Sequence, residues 1–128
     1  MIHHPQRTIV IRIELKIPLR LVSEANLCCH WTKKHKRKKK IAALLLCYWP
    51  KEKIVLPCTV TLTRVAPRML DFDNLVHANK HLFDKICDLL RPGLAPGQAD
   101  NTDLIEVVYK QEKGKPKEYA VKILIESK

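Results

Sequence analysis

Two aspartates one residue apart, Asp71 and Asp73, open the stretch MLDFDNLVHANKHLFDKI at residues 69 to 86. In extended backbone, residues i and i+2 project to the same side, so both carboxylates can aim at one point. A third carboxylate, Asp100, stands at the end of a Pro/Gly-rich loop, just before a strand that can run beside the other two. Carboxylates gathered without Cys or His ligands favour a hard ion, Mg²⁺ or Mn²⁺, which keeps its waters and completes its shell with phosphate oxygens. The chemistry that suits is phosphodiester hydrolysis, in which the metal lowers the pKa of the attacking water and offsets charge building on phosphorus. His77 and Lys80 follow Asp73 at i+4 and i+7, on the same helix face one and two turns along, where a basic group serves as an electrostatic clamp. The simpler reading makes Asp73 an N-cap, accepting backbone N–H bonds at a helix start, with Asp71 favoured by the positive end of the dipole. An EF-hand is excluded, since Leu75 stands where the third ligand belongs and Val76 where the obligatory glycine belongs.

The second chemical signal is KKHKRKKK, residues 33 to 40, seven Lys or Arg around His35. As a helix it stacks Lys34 on Lys38, Lys36 on Lys40 and Lys33 on Arg37, each like pair costing a few tenths of a kcal/mol, and it sets cations against the dipole. Lys33, Lys34, Lys36, Arg37, Lys39 and Lys40 are the candidate contacts to a phosphate backbone, with Trp31 and His30 beside them as stacking or core groups. The alternatives are a solvated face or an import signal.

The elements that must position these residues are legible in the hydrophobic pattern. TIVIRIELKI (8 to 17) alternates, placing Ile9, Ile11, Ile13 and Leu15 on one face of a strand. A helix is expected from about Thr32 to Cys47, stopped before Pro50 and giving Ile41, Leu44, Leu45 and Tyr48 to a core. KIVLPCTVTLTRV (53 to 65) reads as a second strand with Pro57 near its start or on an edge. Leu75, Ala78, Leu82, Ile86 and Leu89 recur at helical spacing, and Arg91-Pro92-Gly93 ends that helix. DLIEVVYKQ (103 to 111) and KEYAVKILIES (117 to 127) read as two strands joined as a hairpin through EKGKP. The order β-α-β-α-β-β predicts a single two-layer α+β domain over 1–128, with a mixed sheet and helices packed on one face.

Composition sets the outer bounds. With 128 residues, 46% of them hydrophobic and 29% charged, the chain can build one real core. Its net charge of +11 argues for a polyanionic partner, nucleic acid before anionic membrane. No apolar run approaches the roughly 20 residues needed to span a bilayer, and the N-terminus lacks a signal-peptide core, so the expectation is a soluble, cytoplasmic protein without a membrane partner. The five cysteines (Cys28, Cys29, Cys47, Cys58, Cys87) fall mostly in apolar segments without a Cys-x-x-Cys pair, which reads as reduced thiols rather than zinc ligands.

D-F-D-N-L at 71 to 75, Ala78 and Lys80, the F-D-K-I continuation, and the Pro/Gly loop into Asp100 followed by two strands resemble the RusA-like Holliday junction resolvases. Upstream Ser23, Asn26 and Trp31, followed by basic residues, look like that family's N-terminal segment, so the resemblance covers most of the chain. It implies a homodimeric, Mg²⁺-dependent (Mn²⁺ as alternative) endodeoxyribonuclease that nicks four-way DNA junctions symmetrically and takes no small-molecule substrate. Asp71, Asp73 and Asp100 would form the acidic site and Lys80 the basic assistant. The chain departs from the best-known branch at two places. His77 stands where that branch has a lysine, the match at Lys80 being to phage-type members. Ala99-Asp100 replaces an Asp-Asp doublet, which leaves Asp103 as a substitute third ligand. A rival expectation is a non-catalytic nucleic-acid-binding module in which Asp73 only caps its helix.

Overall fold

The computed structural model describes residues 9–21, 31–91 and 104–128, with the side chains of Trp31, Thr32 and Lys34 left aside. Its elements run β1 (Ile9–Val10), β2 (Arg12–Ile17), α1 (Trp31–Tyr48), β3 (Lys53–Ile54), β4 (Cys58–Ala66), α2 (Phe72–Leu90), β5 (Ile105–Lys113) and β6 (Ala120–Ser127). This is the α+β domain with a mixed sheet that the pattern predicts. β2, β6, β4 and β5 form a four-stranded sheet in that order, and β1 and β3 pair as a short parallel ladder beside it.

Alternation along the strands decides which face is covered. Ile13 and Ile17 of β2, Val60 and Leu62 of β4, and Val121, Ile123 and Ile125 of β6 are buried and share one core with Ile41 and Leu45 of α1 and Ala78, Leu82 and Ile86 of α2. Their register partners agree, with Ile13 opposite Ile125 and Val60 opposite Ile125 in turn, so a single sheet face receives both helices. Full burial of a side chain such as Leu82 contributes about 1.5–3 kcal/mol. The opposite face presents Thr61, Thr63, Lys110, Glu112 and Lys122 around a shallow hollow, and an ion pair between Lys122 and Glu112, 2.8 Å, passes over β4 there.

Four sequence expectations change. The strand expected over 53 to 65 is split at residues 55 to 57 into β3, which pairs with β1, and β4, which joins the four-stranded sheet. The first strand is not continuous: it breaks at Ile11, and Ile9 and Ile11 are exposed rather than buried. Tyr48 is exposed at the end of α1, leaving Ile41, Leu45 and the partly buried Leu44 to anchor that helix. The hairpin is absent, because β5 and β6 pair on opposite sides of β4, β5 parallel and β6 antiparallel. The reason is burial. β6, reading AVKILIES, is apolar enough to sit between two neighbours, whereas β5 carries Glu106, Lys110, Glu112 and Lys113, charges that suit an edge. The connection between them passes the end of β4, where the Gly114 N–H donates to Ala66 O. A Cβ at Gly114 would lie 2.8 Å from Glu118 Oε1, so that side chain would have to move, and 3.2 Å from Glu118 O.

Candidate functional site

β4 and β5 are parallel, so α2 must leave the C-terminal end of β4 and return along the sheet. That crossover places its first turn, with Asp71 and Asp73, above the C-terminal ends of β4 and β5. Asp71 is the N-cap: its backbone is extended (φ −68°, ψ 167°) and its Oδ1 accepts from the Asn74 N–H at 2.9 Å. Asp73 lies inside the first turn, and its carboxylate has no hydrogen-bond partner among the described residues. The cap assigned from sequence to Asp73 therefore belongs to Asp71. The i, i+2 alternation does not govern the pair either, because only Asp71 is extended. What they share is exposure and the positive end of the α2 dipole, which favours carboxylate charge.

The lead-in to this turn is held from the sheet. Gln111, the inward residue near the end of β5, receives the Leu70 N–H on Oε1 at 2.9 Å and donates from Nε2 to Leu70 O at 2.6 Å. Its register partner on β4, Arg64, donates from Nη1 to Arg68 O at 2.7 Å and from Nε to Leu21 O at 3.2 Å. Arg64 is only 7% exposed, and burial pulls its guanidinium below the ordinary arginine range, with the positive charge of Arg20 acting in the same direction. It remains charged at any physiological pH. Tyr109, two residues before Gln111, meets the Phe72 ring edge-on at 6.5 Å and 76°. Sequence reasoning passed over Gln111 and Arg64. Their signal was a polar residue on the inward register of an otherwise apolar alternation, Ile105-Val107-Tyr109-Gln111 and Cys58-Val60-Leu62-Arg64.

His77 and Lys80 are both exposed, on the side of α2 away from the buried Leu75, Ala78, Leu82 and Ile86. At about 1.5 Å of rise per residue, His77 stands roughly 6 Å and Lys80 roughly 10 Å along the axis from Asp73, which favours His77 for a group acting near the carboxylates.

No family model, curated protein or solved structure matches the chain.

Asp100 and Asp103 lie outside the described residues, as do Cys28, Cys29, His30, Ser23 and Asn26. Among the described residues no group of three or more His, Cys, Asp or Glu side chains is placed to hold a metal ion. Leu104 O accepts from Cys58 N at 2.9 Å, at the end of β4 remote from Asp71.

The donor chemistry of the described pair fits a hard cation. Asp71 keeps Oδ2 beyond its capping bond, Asp73 keeps both oxygens, and Mg²⁺ is commonly bound by one or two carboxylates with waters and phosphate oxygens filling the rest.

The basic run forms the first half of α1. Lys33, Lys36, Lys38, Lys39 and Lys40 are exposed, whereas Arg37 is half-buried and has a partner. The Lys34 side chain lies outside those described. Lys36 and Lys39 fall on the side of α1 turned from Ile41 and Leu45, which anchor the helix, and the exposed Lys33 and Lys40 lie along its flank. Among the described residues no helix is long and apolar enough to cross a membrane.

Proposed function

We propose that this protein is a metal-dependent endodeoxyribonuclease acting on branched DNA, of the RusA-like kind and closest in its lysine spacing to phage-type members. The observation that carries the reading is the presentation of Asp71 and Asp73. In a chain of net charge +11, two exposed carboxylates sit at a helix N-terminus whose approach is fixed by Gln111 and Arg64. Self-capping needs one of the two, and Asp73 is left over. Mg²⁺ or Mn²⁺ would supply Lewis-acid charge there. Asp71 and Asp73 would hold it, with Asp100 as the third carboxylate. His77 or Lys80 balances negative charge on the phosphate, and the lysines of α1 gather the DNA backbone. Paired nicks in a symmetric junction need two equivalent sites, which an isologous homodimer supplies. The apolar stripe of α2 is spent on the core, so a second copy would cover other apolar surface, such as exposed Ile9, Ile11 and Val55.

The capping role of Asp71 favours a second reading, a basic binding module without catalysis. The two separate in one experiment: nicking of a synthetic four-way junction, with linear duplex as control, by the parent and by Asp73→Asn, with and without Mg²⁺. The nuclease reading expects Mg²⁺-dependent junction cutting that falls by several orders of magnitude in Asp73→Asn while binding holds or tightens, a phosphate-repelling charge having gone. No cutting by the parent hands the site to the binding module, and equal cutting by both proteins removes Asp73 from the metal site.

A further inference from the structure

We propose that Gln111 is a positioning residue for the Asp71 carboxylate, an inference that rests on the nuclease reading above. Leu70 belongs to neither β4 nor α2, so no ladder or helix satisfies its backbone. One side-chain amide does both jobs, accepting from Leu70 N–H at 2.9 Å and donating to Leu70 O at 2.6 Å. The Leu70 carbonyl and the Asp71 nitrogen belong to one rigid peptide plane, so holding that oxygen sets the direction from which Asp71 starts. On the other side, the bond from Asn74 N–H to Asp71 Oδ1 sets where its side chain ends. Phe72, between the two aspartates, rests edge-on against Tyr109, which shares the inward side of β5 with Gln111. The residues flanking Asp71 are thus held from one strand, and Arg64 fixes Arg68 just upstream. Only an amide of this length supplies donor and acceptor together. A carboxylate offers the acceptor alone and a methionine only a weak sulfur acceptor. Groups that orient metal ligands are typically worth about 10- to 100-fold in metal affinity.

The test compares parent, Gln111→Met and Gln111→Glu by Mn²⁺ binding, read from the electron paramagnetic resonance signal of free Mn²⁺, by amide exchange at Leu70, and by single-turnover junction cutting across a metal titration. Gln111→Met should weaken Mn²⁺ binding about tenfold or more, speed Leu70 exchange, and shift the metal needed for half-maximal cutting by the same factor, while junction affinity and its salt dependence stay within about twofold of parent. Gln111→Glu guards against misfolding of the first variant, since it keeps the shape and the bond from Leu70 N–H. It also adds a negative charge near the site, which by electrostatics alone would tighten Mn²⁺; weaker binding in this variant therefore supports positioning. A parent that cuts and binds Mn²⁺, with both variants matching its affinity, overturns the role of Gln111 and leaves the nuclease reading standing. A parent that neither binds Mn²⁺ nor cuts overturns both.

Discussion

Replacing Lys33, Lys36, Lys39 and Lys40 together with Gln separates the two jobs of α1, holding the fold and meeting a polyanion. The four are exposed, whereas the anchors Ile41 and Leu45 are 8% and 0% exposed, so the change leaves the core untouched. It removes the like-charge contacts of Lys36 with Lys40 and of Lys33 with Arg37, and it lightens the cationic load at a helix N-terminus. At a few tenths of a kcal/mol for each contact and for each dipole term, the variant should gain about 1 kcal/mol. In a domain of about this size that is a rise of roughly 4 °C in Tm. Binding moves the other way. If each lysine neutralises one phosphate, the slope of log K against log salt shrinks by about 0.9 for each, so by roughly 3 to 4 in all. The assay is a salt titration of junction binding by anisotropy beside a thermal melt of both proteins. A variant that melts higher and binds with the parent's slope would refute the reasoning, placing the DNA path elsewhere and leaving the run as a solvated face.

The cap at Asp71 should be separable from any metal role: Asp71→Ala should lose about 1 kcal/mol while Asp71→Asn, itself a good cap, keeps parental stability, and equal thermal midpoints for all three proteins would contradict the observed bond to Asn74. Stability should also fall on the alkaline side. Burial pushes the Cys58 thiol above its ordinary range, partly opposed by Lys128. Burial, with Asp84 adding to it, pushes the Tyr109 phenol up. Both pKa values are raised in the folded state, so the stability they confer is complete below the unfolded values and is lost as pH climbs through the folded ones, from about pH 8.5 for the thiol and about 10 for the phenol. Urea unfolding at intervals from about pH 7.5 to 10 should show the decline, and Cys58→Ala, though less stable throughout, should follow a shallower one over the thiol's window; parallel curves would rule the thiol out.

The helices were legible because their signals are local. The stripe Leu75-Ala78-Leu82-Ile86 and the stop at Arg91-Pro92 need no knowledge of the rest of the chain, and α2 ends at Leu90 accordingly. Strand positions were legible for the same reason, but strand partners were not. Whether β6 pairs with β5 or slips between β2 and β4 depends on the competition for inner positions, and EKGKP suits a hairpin equally well. Ile9 and Ile11 look like core by alternation alone, yet the sheet they would extend breaks at Ile11. At the candidate site, Asp71 and Asp73 stood out by spacing, while the exchange of roles between them turned on where the helix begins, a one-residue matter that spacing does not fix. Gln111 and Arg64 were hidden because their partners are backbone atoms, which no side-chain pattern marks, and those of Leu70 and Leu21 are distant in sequence as well.

The place of β6 between β2 and β4 has a consequence for synthesis. β2 finds its strand partner in β6, so a ribosome that has finished residue 17 must add everything through residue 127 before that partner exists. At about 5–20 residues per second this interval is on the order of ten seconds. Through it β2 has no native strand partner, and a chain interrupted before β6 leaves β4 open on that side as well. The domain cannot close from its N-terminus forward; it closes when its final strand arrives.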